Sequence, residues 1–315
     1  MPSSPPPTPR RQCGTMAVYE RLCETDPQFR TSIAAIERQS RQFVESHCPG
    51  FEPRAIYRIQ VVVHCLYHEA SQKISFSQIK RQIRVLNQDF RLKNPNRKWI
   101  PKPWKSLAAD TGIEFELAAT DPEGNPTRGA TFTKTDRPEF GTGDSIKRSD
   151  SGGVPPWDTT RYLNLWVAPL AGGLLGYAQF PGGPRETDGV VITTSAFGTS
   201  GTAKPPFNGG RTATHEIGHY LNLYHIWGDT QDCSGTDHCC DTPTQQFPNY
   251  GSPAFPKISC NNAPNGDMFM NYMDYVDDAV MCLFTDAQAA RMVATLNGPR
   301  SALVPKPIPN PSHTS

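Results

Sequence analysis

The hydrophobic pattern changes period along the chain. Residues 57–67 (YRIQVVVHCLY) are apolar and rich in β-branched side chains, which predicts a buried strand. Between Ser75 and Arg91 the apolar positions fall at Ile79, Ile83, Leu86 and Phe90, a spacing of three and four that predicts an amphipathic helix. Further strands are predicted at 113–119, 162–169, 174–180 and 189–196, joined by Gly- and Pro-rich connections. Two more helices are predicted at about 211–224 and about 286–296. Ahead of all of these, a polar helical stretch of about 19–45 is closed by His47-Cys48-Pro49-Gly50. Strand, helix, strands, helices in that order predict an α+β fold, a mixed sheet with helices packed on it.

Composition narrows the function. The chain has 315 residues, enough for a sizeable core and about two domains. Its 31 basic and 30 acidic residues leave +1, which argues against an electrostatic nucleic-acid or membrane-surface binder. No apolar run approaches the roughly 18 residues of a membrane span. Prolines crowd both ends (Pro2, Pro5, Pro6, Pro7, Pro9; Pro299, Pro305, Pro307, Pro309, Pro311), so both ends are expected to be unstructured tails. Nine cysteines are present, and Cys233, Cys239, Cys240, Cys260 and Cys282 cluster in one loop-rich stretch, a density typical of an oxidising compartment. Export is therefore expected, although MPSSPPPTPRRQC has no apolar stretch that would make it a secretory signal.

The stretch from His215 to His225 (HEIGHYLNLYH) carries the chemistry. On a helix Ala213, Ile217, Tyr220, Leu221 and Tyr224 project at about 140–240° from His215, forming one apolar face. His215 and His219 lie on the other side, about 40° and one turn apart. Packing explains the apolar residues but not the histidines, which can both reach one zinc ion at about 2.1 Å. If the helix continued, His225 would sit about 9 Å beyond His219, too far to share that ion. A left-handed turn at Asn222 ends the helix and returns His225 to the metal. Three imidazoles leave a fourth position open for water, the catalytic arrangement. Glu216 projects beside the metal without being needed as a ligand, so it can take a proton from activated water and pass it to a leaving amine. A chance HExxH in a chain of this size is about a one-in-a-hundred event, and the third histidine makes chance rarer still.

These residues resemble the extended zinc motif of the metzincins, with Asn222 in place of the usual glycine and a Met-turn candidate at Asn271-Tyr272-Met273-Asp274-Tyr275. Within the metzincins the chain is most similar to the pappalysin family. VVVHCLYH, QIRVLNQDF, AADTGIEFELA, DPEGNPTRGAT, RTATHEIGHY, DTPTQ and GDMFMNYMDYVDD carry the likeness over nearly the whole chain. The resemblance implies a twisted five-stranded mixed sheet with helices in an upper subdomain (55–225) and an irregular, disulfide-containing lower subdomain (226–300). A propeptide would occupy 1–54 and a Pro-rich tail 301–315. It implies a zinc endopeptidase made as a latent zymogen. Met273 would lie under the three imidazoles, and Tyr275 would help stabilise the tetrahedral intermediate.

The same resemblance implies further residue roles. An extended peptide substrate would pair with 174–180 (LLGYAQF) as an edge strand. Cys13 would close the open zinc position before a cleavage near 49–54. Cys233 and Cys260 match one family disulfide. The other pair's positions hold Ser252 and Val280, so Cys282 could instead meet Cys239 or Cys240. Asp237, Asp241 and Thr242 offer oxygen ligands for a structural calcium. The segment after Met273 would shape the pocket for the residue following the scissile bond, where Asp277 and Asp278 favour a basic side chain. A monomer is expected. Two other readings stand beside this one: a non-catalytic, metal-stabilised protein-binding module on the same fold, and a cytosolic zinc hydrolase of small substrates.

Overall fold

The computed structural model describes residues 9–48 and 50–310. The N-terminal prolines at 2, 5, 6 and 7, Pro49 in the expected cleavage segment, and Pro311 with the rest of the C-terminus lie outside the described residues.

Strand β1 (Ala55–Tyr67) is the spine of the sheet. It is long enough to pair in parallel with β2 (Ile113–Leu117) along its first half and with β3 (Ala130–Lys134) along its second. Its other edge takes β4 (Leu163–Ala168), and β6 (Val190–Thr193) follows β4, both parallel. Last comes β5 (Gly176–Ala178), antiparallel to β6 and at the edge. The order β2-β1-β4-β6-β5 is a mixed sheet, as expected, but β3 and a short C-terminal strand also pair with β1, so the sheet has seven strands rather than five.

Both faces of this sheet are covered, which explains why β1 is buried without a break from Val61 to Leu66. Val61, Val63 and Cys65 pack on the side of helices α3 (Phe76–Phe90) and α4 (Arg211–Tyr220). On the opposite face, Leu66, Trp166, Tyr177 and Val191 pack against Val18, Leu22, Phe29 and Ile33. Those four belong to α1 (Thr15–Thr25) and α2 (Pro27–His47). Each fully buried Val or Leu contributes about 1.5–3 kcal/mol.

The single helix expected over about 19–45 is two helices. Pro27 has no N–H and its ring bars continuation from α1. Asp26 caps the new helix, its carboxylate accepting from the N–H of Gln28 at 2.9 Å and of Phe29 at 3.1 Å. Strand β3 was not anticipated, because its short Thr-rich pattern alternates weakly and is half-exposed.

The C-terminal expectation is also corrected. Residues 301–310 do not trail away: Leu303 and Val304 are buried, and β7 (Ile308–Pro309) pairs antiparallel with Ala55 and Ile56. Proline is tolerated there because an edge strand leaves its missing N–H on the open side.

The lower subdomain ends in α5 (Asp286–Asn297), opened by a Thr285–Gln288 capping box. Cys233 and Cys260 form the disulfide that the resemblance implied. The expected bridge from Cys282 to Cys239 or Cys240 is not formed; all three thiols are free. Cys282 is buried in the main core, while Cys240 lies beside the Cys48 thiol at the end of α2.

Candidate active site

Helix α4 is held at both ends by backbone chemistry. At its start, Asp278 accepts from the N–H of Gly209 at 2.7 Å and of Arg211 at 3.2 Å, satisfying donors that the helix leaves open. At its end, the N–H of Leu223 reaches the carbonyl of Gly218 and that of Asn222 reaches His219, both at 2.9 Å. Asn222 takes φ 74°, so this is a Schellman turn with asparagine in the left-handed position. The chain reverses there, and His225 comes back to the first two histidines.

The three imidazoles converge. The Nε2 of His219 lies 3.2 Å from that of His215 and 3.1 Å from that of His225. Each Nδ1 is committed elsewhere: His215 donates to the Tyr272 carbonyl and His219 to the Leu223 carbonyl, both at 2.7 Å, and His225 donates to the Asp229 carboxylate at 2.6 Å. Every Nε2 is therefore a bare lone pair. Burial and the neighbouring rings push the His215 and His219 pKa values well down, so these rings are neutral. Three lone pairs this close repel unless a cation lies between them. A tetrahedral zinc with bonds of about 2.1 Å would space its ligands about 3.4 Å apart, so the cage fits zinc.

Below this cage Met273 packs against α4 and is fully buried. A Cβ on Gly218 would meet its sulfur at 2.5 Å, so only glycine lets the methionine come so near. Tyr275 stands over His215 and His225, with ring centroids 5.7 and 5.0 Å away. Trp227 stacks on His225 at 4.3 Å and meets the Tyr275 ring edge-on at 4.7 Å.

Residues 11–15 fill the cleft. Cys13 pairs in parallel with Gly176 of β5; the Gly14 N–H donates to the Gly176 carbonyl and the Leu175 N–H to the Gln12 carbonyl, both at 2.9 Å. The Cys13 sulfur and the three imidazole nitrogens all lie within 4.8 Å of one another, the one such group among the described residues. Glu216, buried, accepts from the Cys13 thiol at 3.4 Å and the Thr15 hydroxyl at 2.8 Å. Burial lifts its pKa to about 7. Burial and the Glu216 carboxylate also push the Cys13 thiol well up; a divalent cation in the cage would invert that. Gly176 is required here too, since a Cβ would come within 2.9 Å of Glu216 Cγ.

Two residues before Cys13, Arg11 is buried on Asp278. Its guanidinium donates to the Asp278 carboxylate at 2.6 Å and to the Thr212 hydroxyl at 3.0 Å, and stacks over Phe207 at 5.0 Å. Asp278 thus faces the Arg11 side chain and is buried, whereas Asp277 is half-exposed. Arg11, Thr15, Trp227 and Asp229 were not anticipated. A carboxylate four residues after His225 and a basic pair just before Cys13 were the available signals.

The three residues proposed for calcium are engaged with protein donors. Asp237 accepts from the Cys239 N–H and the Thr242 hydroxyl, at 3.0 and 2.9 Å, and burial lifts its pKa to about 7. Asp241 accepts from the Thr285 hydroxyl and the Ala287 N–H, at 2.7 and 2.8 Å, capping α5. Turn and cap bonding accounts for all three side chains, and nothing in their geometry calls for calcium.

The Peptidase_M43 family, described as pregnancy-associated plasma protein-A, matches residues 150–297. An extracellular metalloprotease of Arthroderma benhamiae is 28% identical over 292 residues, covering 89% of this chain and 91% of that protein. Extracellular metalloprotease 1 of Coccidioides posadasii is 30% identical over 296 residues, covering 90% and 88%. Among solved structures, Tannerella forsythia mature mirolysin in complex with a cleaved peptide is 48% identical, with a TM-score of 0.78 over 80% of this chain and 97% of its own. A point mutant of Tannerella forsythia promirolysin is 44% identical, with a TM-score of 0.86 over 93% and 97%.

Proposed function

Because the chain belongs to the pappalysin family of metalloproteases, we propose that it is a secreted zinc endopeptidase made as a latent zymogen. The convergence of the Cys13 sulfur on the three histidine nitrogens, with Glu216 hydrogen-bonded to the same cysteine, carries this reading. His215, His219 and His225 would hold zinc. Bound there, zinc supplies Lewis acidity toward a scissile carbonyl and acidifies water.

The chain's own residues do the rest. Glu216 takes a proton from the attacking water and hands it to the leaving amine. The Tyr275 hydroxyl donates to the oxyanion that forms at the carbonyl carbon. The free edge of β5 holds the peptide extended, as it now holds residues 12–14. Asp278, fixed by the start of α4, takes a basic side chain in the position following the scissile bond. Arg11 supports that preference by filling the pocket in the latent state.

In the latent chain Cys13 would occupy the fourth zinc position, and Thr15 and Cys13 would hold Glu216 away from water. The promirolysin match extends over more of this chain than the mature mirolysin match, as a propeptide at the N-terminus would require. The extracellular relatives and the Cys233–Cys260 disulfide support secretion. The test is casein cleavage by the zinc-loaded chain. Cys13→Ala should shorten or abolish latency, and Glu216→Ala should lower turnover by about 10²–10⁴-fold with zinc retained. Unchanged latency in the first variant would contradict the zymogen, and unchanged turnover in the second would contradict the base.

A further inference from the structure

The residue before Arg11 is also placed against a specific surface. Arg10 is exposed, yet its guanidinium carbon lies 4.9 Å over the ring of Tyr250. That ring is held firmly in place. On one side of it, the Asn249 N–H donates to the Asp274 carboxylate at 2.7 Å. On the other, the Gly251 carbonyl accepts from the Asp277 N–H at 3.0 Å, and Gly251 forms a β-bridge with Val276. Tyr250 is thereby strapped to the segment that carries Tyr275 and Asp278, and its ring lies 5.9 Å from that of Tyr275.

Cys13 faces the histidines, Arg11 pairs with Asp278, and Arg10, one residue further from Cys13, lies over Tyr250. From Cys13 to Arg10 the chain runs outward toward its N-terminus, so a substrate crossing the same surface with the opposite polarity after propeptide release would bring its second residue after the scissile bond to Tyr250. We propose that Tyr250 is a second cation-selective subsite, so that the enzyme favours peptides with a basic residue at both the first and the second position after the scissile bond. The inference rests on the endopeptidase reading above and names a specificity-determining residue for it. A guanidinium over an exposed tyrosine face gains a modest cation–π attraction, about threefold in selectivity.

The test uses the full-length, zinc-loaded chain after activation, and fluorogenic peptides with arginine fixed at the first position and arginine or citrulline at the second. Citrulline keeps the shape and removes the charge. The expected kcat/KM ratio is about three in favour of arginine, unchanged in Tyr250→Phe, lost in Tyr250→Leu, and retained in Asp277→Asn. A ratio near one in the unsubstituted enzyme overturns the proposal, as does a preference that survives Tyr250→Leu or disappears in Asp277→Asn. Asp278→Asn separates the two readings, because it should erase the preference at the first position and leave that at the second. If the unsubstituted enzyme cuts none of the peptides, the endopeptidase reading falls and takes the subsite with it.

Discussion

Gly218 and Met273 are matched to each other: a single added carbon on Gly218 would sit 2.5 Å from the methionine sulfur. The contact joins α4, between its two histidines, to the turn that carries Tyr272 and Tyr275. Gly218→Ala should therefore displace Met273 and tilt the floor beneath the imidazoles. Overpacking of this kind costs about 1–3 kcal/mol. Thermal unfolding should report a fall of several degrees, and zinc analysis a weaker metal affinity. A variant equal to the parent in both would show that Met273 has room to move.

Asn222 makes a sharper test of the turn. A non-glycine residue in the left-handed region costs roughly 1–2 kcal/mol, and asparagine escapes much of it. The Asn222 side chain also donates to the Ser40 hydroxyl at 3.1 Å. Asn222→Gly should keep the turn and lose only that bond, whereas Asn222→Ala should be clearly less stable than Asn222→Gly. Denaturant unfolding of the zinc-loaded chain measures the difference, and the opposite order would contradict this account of how His225 returns to the site.

How much of this was legible beforehand varies with the range of the interaction. The three-histidine motif is legible because helix geometry fixes His215 and His219 locally and Asn222 announces the turn. The sheet was readable because β1 is apolar on both faces. Arg11, Thr15 and Asp229 were hidden for different reasons. The first two act through contacts about 200 or more residues away in sequence, and neither periodicity nor spacing records such a pairing. Asp229 is local, but a single carboxylate in a loop has no pattern of its own. The docked C-terminus differs from the expected free tail because clustered prolines suit an extended edge strand equally well.

Asp278 should decide the side chain accepted after the scissile bond. In Asp278→Asn an acceptor remains for the start of α4, but the charge facing the pocket is gone. Hydrogen bonds to charged groups contribute about 1.5–3 kcal/mol, so the preference for arginine over a neutral residue of similar size should fall about 10–100-fold. Cleavage-site profiling on a peptide library gives that ratio. An undiminished preference would move the determinant elsewhere in the cleft.

Latency, on this reading, rests on a metal held by three histidine nitrogens and closed by the sulfur of Cys13. X-ray absorption at the zinc edge of the purified latent chain measures that sphere directly. Three nitrogen scatterers at about 2.0–2.1 Å and one sulfur at about 2.3 Å are expected, with the sulfur replaced by oxygen once the propeptide is removed. Protein without stoichiometric zinc, or a zinc sphere lacking sulfur in the latent chain, would contradict it.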